Sequence, residues 1–195
     1  MEIKCIGYYG FEGALFGLGL SYNLTSQYDD WQDVAPQIKE KVYNVATKLA
    51  GKGGGEDKFL RQIFYQWDAL LPRFLWQEVD QYRIGVTTQS QSTMHTIMHR
   101  ELAQEDFEKQ ISYPYLYHLN LVIKKYKETQ NKELFLQLKN DLPEGFLQRR
   151  VWSLTLAQML NIYRQRINHR LPQWKETCKA FEEATPSLFK GIYLK

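Results

Sequence analysis

Apolar residues recur at three- and four-residue intervals in several separate stretches of this chain, and that spacing decides its fold class. Ile38, Val42, Val45 and Leu49 fall on one side of a helical period. So do Phe59, Leu60, Ile63, Trp67 and Leu70, then Leu116, Leu119, Val122, Ile123 and Tyr126, then Leu156, Met159, Leu160, Tyr163 and Ile167. Asp33 is positioned to cap a helix from Val34, with Pro36 in its first turn, and the run Gly51-Lys52-Gly53-Gly54-Gly55 ends it. A second helix is expected over 56–71, followed by a segment from Pro72 to Asp80. Gly10 to Leu20 reads as a short helix whose glycines pack closely on a neighbour. Further helices are expected over 116–128 and 132–138, from Thr155 as cap to about Ile167, and from Pro172 to Glu183. Three stretches break the helical period. Residues 2–9 alternate, 84–89 are β-branched, and 146–153 read as extended. The expectation is an α+β chain, helix-rich with a small sheet, forming a single domain over 1–195.

Composition excludes several classes. With 44% hydrophobic and 24% charged residues the chain is globular rather than disordered. Its longest apolar stretch, 58–76, is interrupted by Arg61, Asp68 and Arg73, so no membrane span is expected. The start, Met-Glu-Ile-Lys-Cys, lacks a signal-peptide pattern, and two cysteines, Cys5 and Cys178, suit a reducing cytoplasm. A net charge of +3 is too mild for a nucleic-acid surface but compatible with an anionic small molecule. Aromatic residues reach 14%, which leaves two readings open: a core built on large rings, or rings that stack on a planar ligand.

Familiar catalytic motifs are missing. The glycines of Gly10–Leu20 lack the dinucleotide spacing, and Gly51–Gly55 lacks the Gly-Lys-Ser/Thr ending of a phosphate loop. His95 and His99 are four apart but without the glutamate of a zinc motif, so no metal site is expected. Two segments carry more. Pro72 to Arg83, with the hydroxyl-rich 87–93 behind it, offers donors to a planar polar ligand. Leu142-Pro143, followed by Trp152, Thr155, Asn161 and Arg166, adds an amide and a planar cation on one helix.

Together these segments resemble the two signature regions of the flavin-dependent thymidylate synthase family, over about Pro72 to Trp174. The family's Arg-His-Arg triplet falls on Gln81-Tyr82-Arg83, at the matching distance from Pro72. In the second region Leu142, Pro143, Trp152, Leu156, Asn161 and Arg166 fall in register, and Gln173-Trp174 resembles the Ala-Gln-Trp that follows. Other positions depart from the pattern. A substrate-contacting glutamine falls on Glu78, the serine near the transferred carbon on Gln91 between Ser90 and Ser92, and an Arg-Tyr pair on Thr93-Met94. An arginine before Leu-Pro falls on Lys139, Asn-Leu-Arg becomes Thr155-Leu156-Ala157, and the His-x-Ser-x-x-Glu-His segment is missing. The strings Trp76 to Tyr82 and Ser92 to His95 are similar to those of divergent phage and prophage members.

The resemblance implies a reductive methylation of dUMP to dTMP, with FAD as cofactor and methylenetetrahydrofolate and NADPH as co-substrates. It implies a homotetramer with sites shared between subunits. Arg166 matches the arginine that stabilises the anionic pyrimidine. Arg83, Tyr82, Gln81, Thr155 and Asn161 fall on flavin-binding positions, and Glu78, Ser90, Gln91, Ser92, Thr93 and Lys139 on substrate-binding ones. Two alternatives stand beside it: a same-fold flavoenzyme acting on another pyrimidine nucleotide, and a non-catalytic relative that lost the cofactor.

Overall fold

The computed structural model describes residues 1–194. Strand β1 (Glu2–Tyr9) leads into helix α1 (Phe11–Leu20) and then α2 (Pro36–Leu49). A 3₁₀ turn at Lys58–Gln62 precedes strand β2 (Phe64–Pro72), helix α3 (Arg73–Val79) and strand β3 (Val86–Ser90). The short α4 (Thr93–Thr96) and a 3₁₀ turn at Gln104–Asp106 lead to the long α5 (Tyr113–Thr129) and α6 (Lys132–Asp141). Strand β4 (Leu147–Thr155) then passes directly into α7 (Leu156–Arg166), and α8 (Pro172–Ala184) and a 3₁₀ segment (Ser187–Leu194) follow. The four strands form one sheet in the order β1-β2-β4-β3. Bonds at the two ends of the β2–β4 pair fix it as antiparallel: Leu156 N–H donates to Ile63 O, and Arg73 N–H to Phe146 O. The chain is α+β and helix-rich with a small sheet, as its sequence pattern predicts.

Two expectations need correction. The helix over 56–71 is a 3₁₀ turn followed by a strand. Ile63, Tyr65, Trp67, Ala69 and Leu71 are all fully or almost fully buried, while Phe64, Gln66, Asp68 and Leu70 between them are not. That is a period of two. The apolar residues at 59, 60, 63, 67 and 70 mimic a helical stripe because Phe59 and Leu60 belong to the preceding turn. Asp33 does not cap α2; the helix starts at Pro36, after an extended Ala35 (ψ 143°). A proline excludes its predecessor from helical backbone, so the boundary is set by Pro36 itself.

The chain divides into two compact units, and the division falls within the strands. One comprises Met1–Glu2, Ala69–Tyr82 and Gln89–Val151 and is here called the hairpin unit. Its α5 and α6 pack together, joined by Gln130 (φ +54°) and by Asn131, whose side chain accepts from Glu133 N–H to cap α6. Its core is mainly aliphatic, including Ile97, Leu119, Ile123, Leu138 and Leu142. The other comprises Ile3–Asp68, Arg83–Thr88 and the chain from Trp152 onward, here the aromatic unit. Trp67, Phe181 and Trp152 pack ring to ring at 5.2 and 5.6 Å. Gly19 on α1 is required there, since a Cβ would lie 2.4 Å from the Thr25 side chain.

Candidate functional site

In the hairpin unit a cleft of about 280 Å³ opens between α4, the turn at Gln104–Asp106 and the start of β4. The chain enters it from β3. Gln91 N–H donates to Arg149 O at 2.8 Å, and the Gln148 amide donates to Gln91 O at 3.0 Å, so β3 stays tied to β4 beyond its last residue. Ser92 is extended, and its carbonyl accepts from Thr96 N–H and the Thr96 hydroxyl, which closes the single turn of α4. That turn aims Thr93, Thr96 and Ile97 at the cleft.

An ion pair also lines the cleft. Arg100 Nη1 donates to Asp106 Oδ2 at 2.7 Å while Nη2 donates to Oδ1, a two-pronged contact. Ala103 N–H adds a third bond to Asp106 Oδ2 at 2.8 Å. Burial opposes charge on Asp106, but the Arg100 fork, the Ala103 amide and the Arg100 charge outweigh it and hold the carboxyl below its usual range. The hydrogen bonds to Asp106 hold the Arg100 guanidinium above its usual value.

Behind Thr93 lies Lys139, near the end of α6, whose ammonium donates to Thr93 Oγ1. Among the described residues no carboxylate pairs with Lys139. Burial, and then the nearby Arg73 charge, push its ammonium below the ordinary lysine value. Arg73 itself donates to Leu142 O at 2.9 Å and pairs with Glu144 at 3.4 Å.

Of the residues expected to contact substrate, Gln91 and Thr93 line this cleft and Lys139 meets Thr93 from behind. Glu78 on α3, Ser90 and Ser92 do not line it. Gln81 is exposed and Tyr82 half-buried, just past the end of α3. Sequence reasoning missed Arg100, Asp106 and Arg149. The Arg100–Asp106 spacing of six, around the turn at Gln104, is the one local signal that could have marked the pair.

The remaining expected residues lie in the aromatic unit. Arg83 is exposed. Thr155 is buried, and its hydroxyl accepts from Gln158 N–H at 3.2 Å, the cap the sequence predicts for α7. Asn161 is exposed, with its side-chain oxygen accepting from Gln165 at 3.0 Å. Arg166 is half-buried, its guanidinium 5.0 Å from the centre of the buried Trp174 ring. The core face of α7 is Leu156, Met159, Leu160 and Ile162, while Tyr163 and Ile167 are only half-buried. A larger cleft in this unit, about 410 Å³ beside Leu18, Leu49 and Phe59, contains none of the expected residues. Among the described residues no group of histidines, cysteines and carboxylates could hold a metal, and no helix is long and apolar enough to cross a membrane.

No protein-family model matches the sequence, and no curated protein matches it significantly. Solved structures do match. A flavin-dependent thymidylate synthase ThyX from Helicobacter pylori, complexed with FAD and dUMP, superposes with a TM-score of 0.73 at 18% identity, over 99% of this chain and 98% of that one. A second structure of the Helicobacter pylori enzyme with FAD and dUMP gives 0.69 at 17% identity, over 99% and 97%. The chain has the fold of a flavin-dependent thymidylate synthase. On that fold, this chain's residues fit a flavin in part. Arg83 has no ion pair or hydrogen bond among the described residues, and Asn161 keeps its amide donors beyond the Gln165 bond, so both suit an anionic or carbonyl-bearing ligand. Thr155 fits less well, because its oxygen is already used at the head of α7.

Proposed function

We propose that this protein is a divergent flavin-dependent thymidylate synthase, which methylates dUMP reductively to dTMP with methylenetetrahydrofolate and NADPH. The likeness in fold along the whole chain to a protein solved with FAD and dUMP carries this reading. Gln91 and Thr93 line one cleft and Lys139 bonds to Thr93, which supports it. Arg83 and Asn161 hold the flavin, with Gln81 and Tyr82 beside Arg83 in sequence; the flavin supplies the hydride. Arg166 stabilises the anionic pyrimidine, since its charge is permanent and its planar fork meets a ring oxygen and nitrogen together. Gln91 and Thr93 contact the nucleotide, with Glu78, Ser90 and Ser92 around them in sequence. The 195 residues act as one domain, in the cytoplasm, and four copies assemble so that subunits complete each other's sites.

The deciding experiment is absorption of the purified protein. A flavin spectrum, retained or restored by FAD, supports the reading, and release of deuterium from C5-labelled dUMP then identifies the substrate. No binding at high FAD concentration overturns it in favour of a relative without cofactor. Light scattering at the monomer mass removes the shared-site assembly.

A second reading is favoured by Gln81, Tyr82 and Thr93, which stand where the resemblance places Arg, His and Arg. Fewer fixed cations weaken phosphate recognition. A same-fold flavoenzyme acting on another pyrimidine nucleotide would bind flavin yet release no deuterium from dUMP.

A further inference from the structure

We propose that Tyr8, Tyr65 and Trp67 form a one-electron relay, which carries an oxidising equivalent from the buried Trp67 ring through Tyr65 to Tyr8 at the surface, where a small-molecule thiol quenches it. This goes beyond the reading of the protein as a thymidylate synthase and does not depend on it.

Three observations carry it. The first is a stack. Tyr65 and Trp67 are two apart on β2 and share its buried face, and Tyr8 comes from the neighbouring edge strand β1. The Tyr8 and Tyr65 rings lie 5.4 Å apart between centres and 24° from parallel. Those of Tyr65 and Trp67 lie 6.3 Å apart and 17° from parallel. Rings so placed leave little empty space for an electron to cross, and indole and phenol are the aromatic side chains that give one up most readily.

The second observation sets the direction. Trp67 Nε1 and Tyr65 Oη are buried, and neither has a hydrogen-bond partner among the described residues. Buried donors nearly always have one, so two orphans on adjacent rings call for a reason. An oxidised indole or phenol becomes strongly acidic and is trapped as a neutral radical only when its proton leaves. Without an acceptor, oxidised Trp67 stays a radical cation in an apolar core, where charge is costly. Burial, and then the neighbouring Tyr193, Tyr8 and Cys5, push the Tyr65 phenol well above its ordinary value, so its proton is held too. The Thr185 hydroxyl, which bonds Phe181 O, opposes them only in part. Neither inner ring is a resting place.

The third observation is the outer end. Tyr8 is 45% exposed, whereas Tyr65 is 0% and Trp67 1% exposed. Its phenol can give a proton to water, so the oxidising equivalent is lowest in free energy there. The steps balance. A one-electron oxidant takes an electron from Trp67 and leaves its radical cation. Tyr8 supplies an electron through Tyr65, which restores Trp67, and the Tyr8 proton passes to water and leaves a neutral phenoxyl radical. The thiol then gives the Tyr8 oxygen a hydrogen atom and becomes a thiyl radical.

The test is flash photolysis of the whole chain. Ultraviolet photo-ionisation creates tryptophan radicals inside the fold, and hexaamminecobalt(III) captures the ejected electrons irreversibly. In the native protein the indolyl absorption should decay as phenoxyl absorption grows, and peptide mapping should then find the oxidised product at Tyr8. Glutathione should shorten the phenoxyl lifetime and remove that product. Tyr8→Phe should abolish the coupled phase and leave the product on Trp67. Tyr65→Leu should abolish it with Tyr8 intact, because the bridging ring is gone, while Tyr65→Phe keeps the ring and should keep the phase. Melting temperatures identify any variant that has not folded, and the exposed Tyr8 tests the relay even if Tyr65→Leu does not fold. A coupled phase that survives Tyr8→Phe, or survives Tyr65→Leu on an intact fold, overturns the proposal. So does a product found at Cys5 instead of Tyr8, or loss of the phase in Tyr65→Phe, which would make the Tyr65 phenol a stop rather than a bridge.

Discussion

The aromatic unit and the hairpin unit use their side chains in opposite ways. In the aromatic unit, Tyr8, Tyr65, Trp67, Phe181 and Trp152 form a run of rings, each 5.2–6.3 Å from the next. Some polar groups there close the backbone: Thr155 caps α7, and the Thr185 hydroxyl bonds Phe181 O at the end of α8. In the hairpin unit the core is largely aliphatic and the polar groups collect around a cleft, as Arg100 with Asp106 and Lys139 with Thr93. The difference answers a question that composition leaves open. Trp31, Trp67, Trp152 and Trp174 in one unit and Trp76 in the other are all buried. The tryptophans are packing material, and the groups that line the hairpin unit's cleft are largely polar and sit against a mainly aliphatic core.

The sharpest way to break that contrast is Trp67→Ala. A large ring deleted from a closed core costs roughly 3–5 kcal/mol. For a chain of this size each kcal/mol lowers the melting temperature by roughly 2–4 °C, so a fall of roughly 6–20 °C is expected by calorimetry. Gln91→Ala, at the exposed cleft, should stay within about 0.5 kcal/mol of the native stability. A loss of under about 2 °C for Trp67→Ala would mean that the ring run is not what holds its unit together.

Arg166→Lys probes the one residue of the aromatic unit to which a reaction is assigned. The change keeps the charge and loses the planar fork. If Arg166 meets the developing anion, turnover should fall by at least about a hundredfold, because a lost preorganised donor costs roughly 2.7–4 kcal/mol. Helix α7 should survive, since lysine and arginine have similar helix propensity. The assay is flavin oxidation by substrate and folate, alongside a thermal melt. Near-native turnover on an intact fold would reassign Arg166 to its place over Trp174, as packing.

These two substitutions also mark how far the sequence was legible. Helix α7 could be read because cap, apolar stripe and register agree from Thr155 onward. Strand β2 could not, because buried Ile63 and Trp67 continue a false helical stripe from the preceding turn, and only the polar Gln66 and Asp68 betray the alternation. Gln91, Thr93 and Lys139 are singled out by a family resemblance, and the contact that joins Thr93 to Lys139 spans 46 residues. No local pattern encodes such a contact. Arg100 and Asp106 were missed for the opposite reason: an arginine and an aspartate around a turn look like any solvated surface until the fold joins them at the edge of a cleft.

Asp106→Asn sharpens the comparison on the hairpin side. It weakens the two-pronged contact to Arg100, and since Arg100 is largely exposed the loss is discounted to about 1–2 kcal/mol. Its pH dependence is the diagnostic part. The folded-state carboxyl is held below its unfolded value, so its contribution is fully present above about pH 4 and is lost as pH falls through the lowered folded value. Urea midpoints of the native protein and the variant should therefore differ at about pH 7 and converge in stronger acid. A gap of constant size down to about pH 2 would place the effect of the substitution in packing rather than in the ion pair.

The smallest expected effect separates the two uses of polar groups at a single atom. Thr155 stands at a flavin-binding position by resemblance and at the head of α7 by structure, where its oxygen accepts from Gln158 N–H and its side chain is buried. Losing such a cap costs about 1 kcal/mol, so Thr155→Ala should lower the melting temperature by roughly 2–4 °C. Thr155→Ser keeps the oxygen and should recover most of that. FAD titration of both variants then decides which role the atom serves. An oxygen occupied by a backbone amide has one lone pair and one proton left, and a buried side chain has little room to turn them toward a ligand. FAD affinity should therefore follow the native protein in both variants while stability falls only in the alanine one. A tenfold loss of FAD affinity with an unchanged melting temperature would reverse the assignment and give the aromatic unit a ligand group that its present bonding does not reveal.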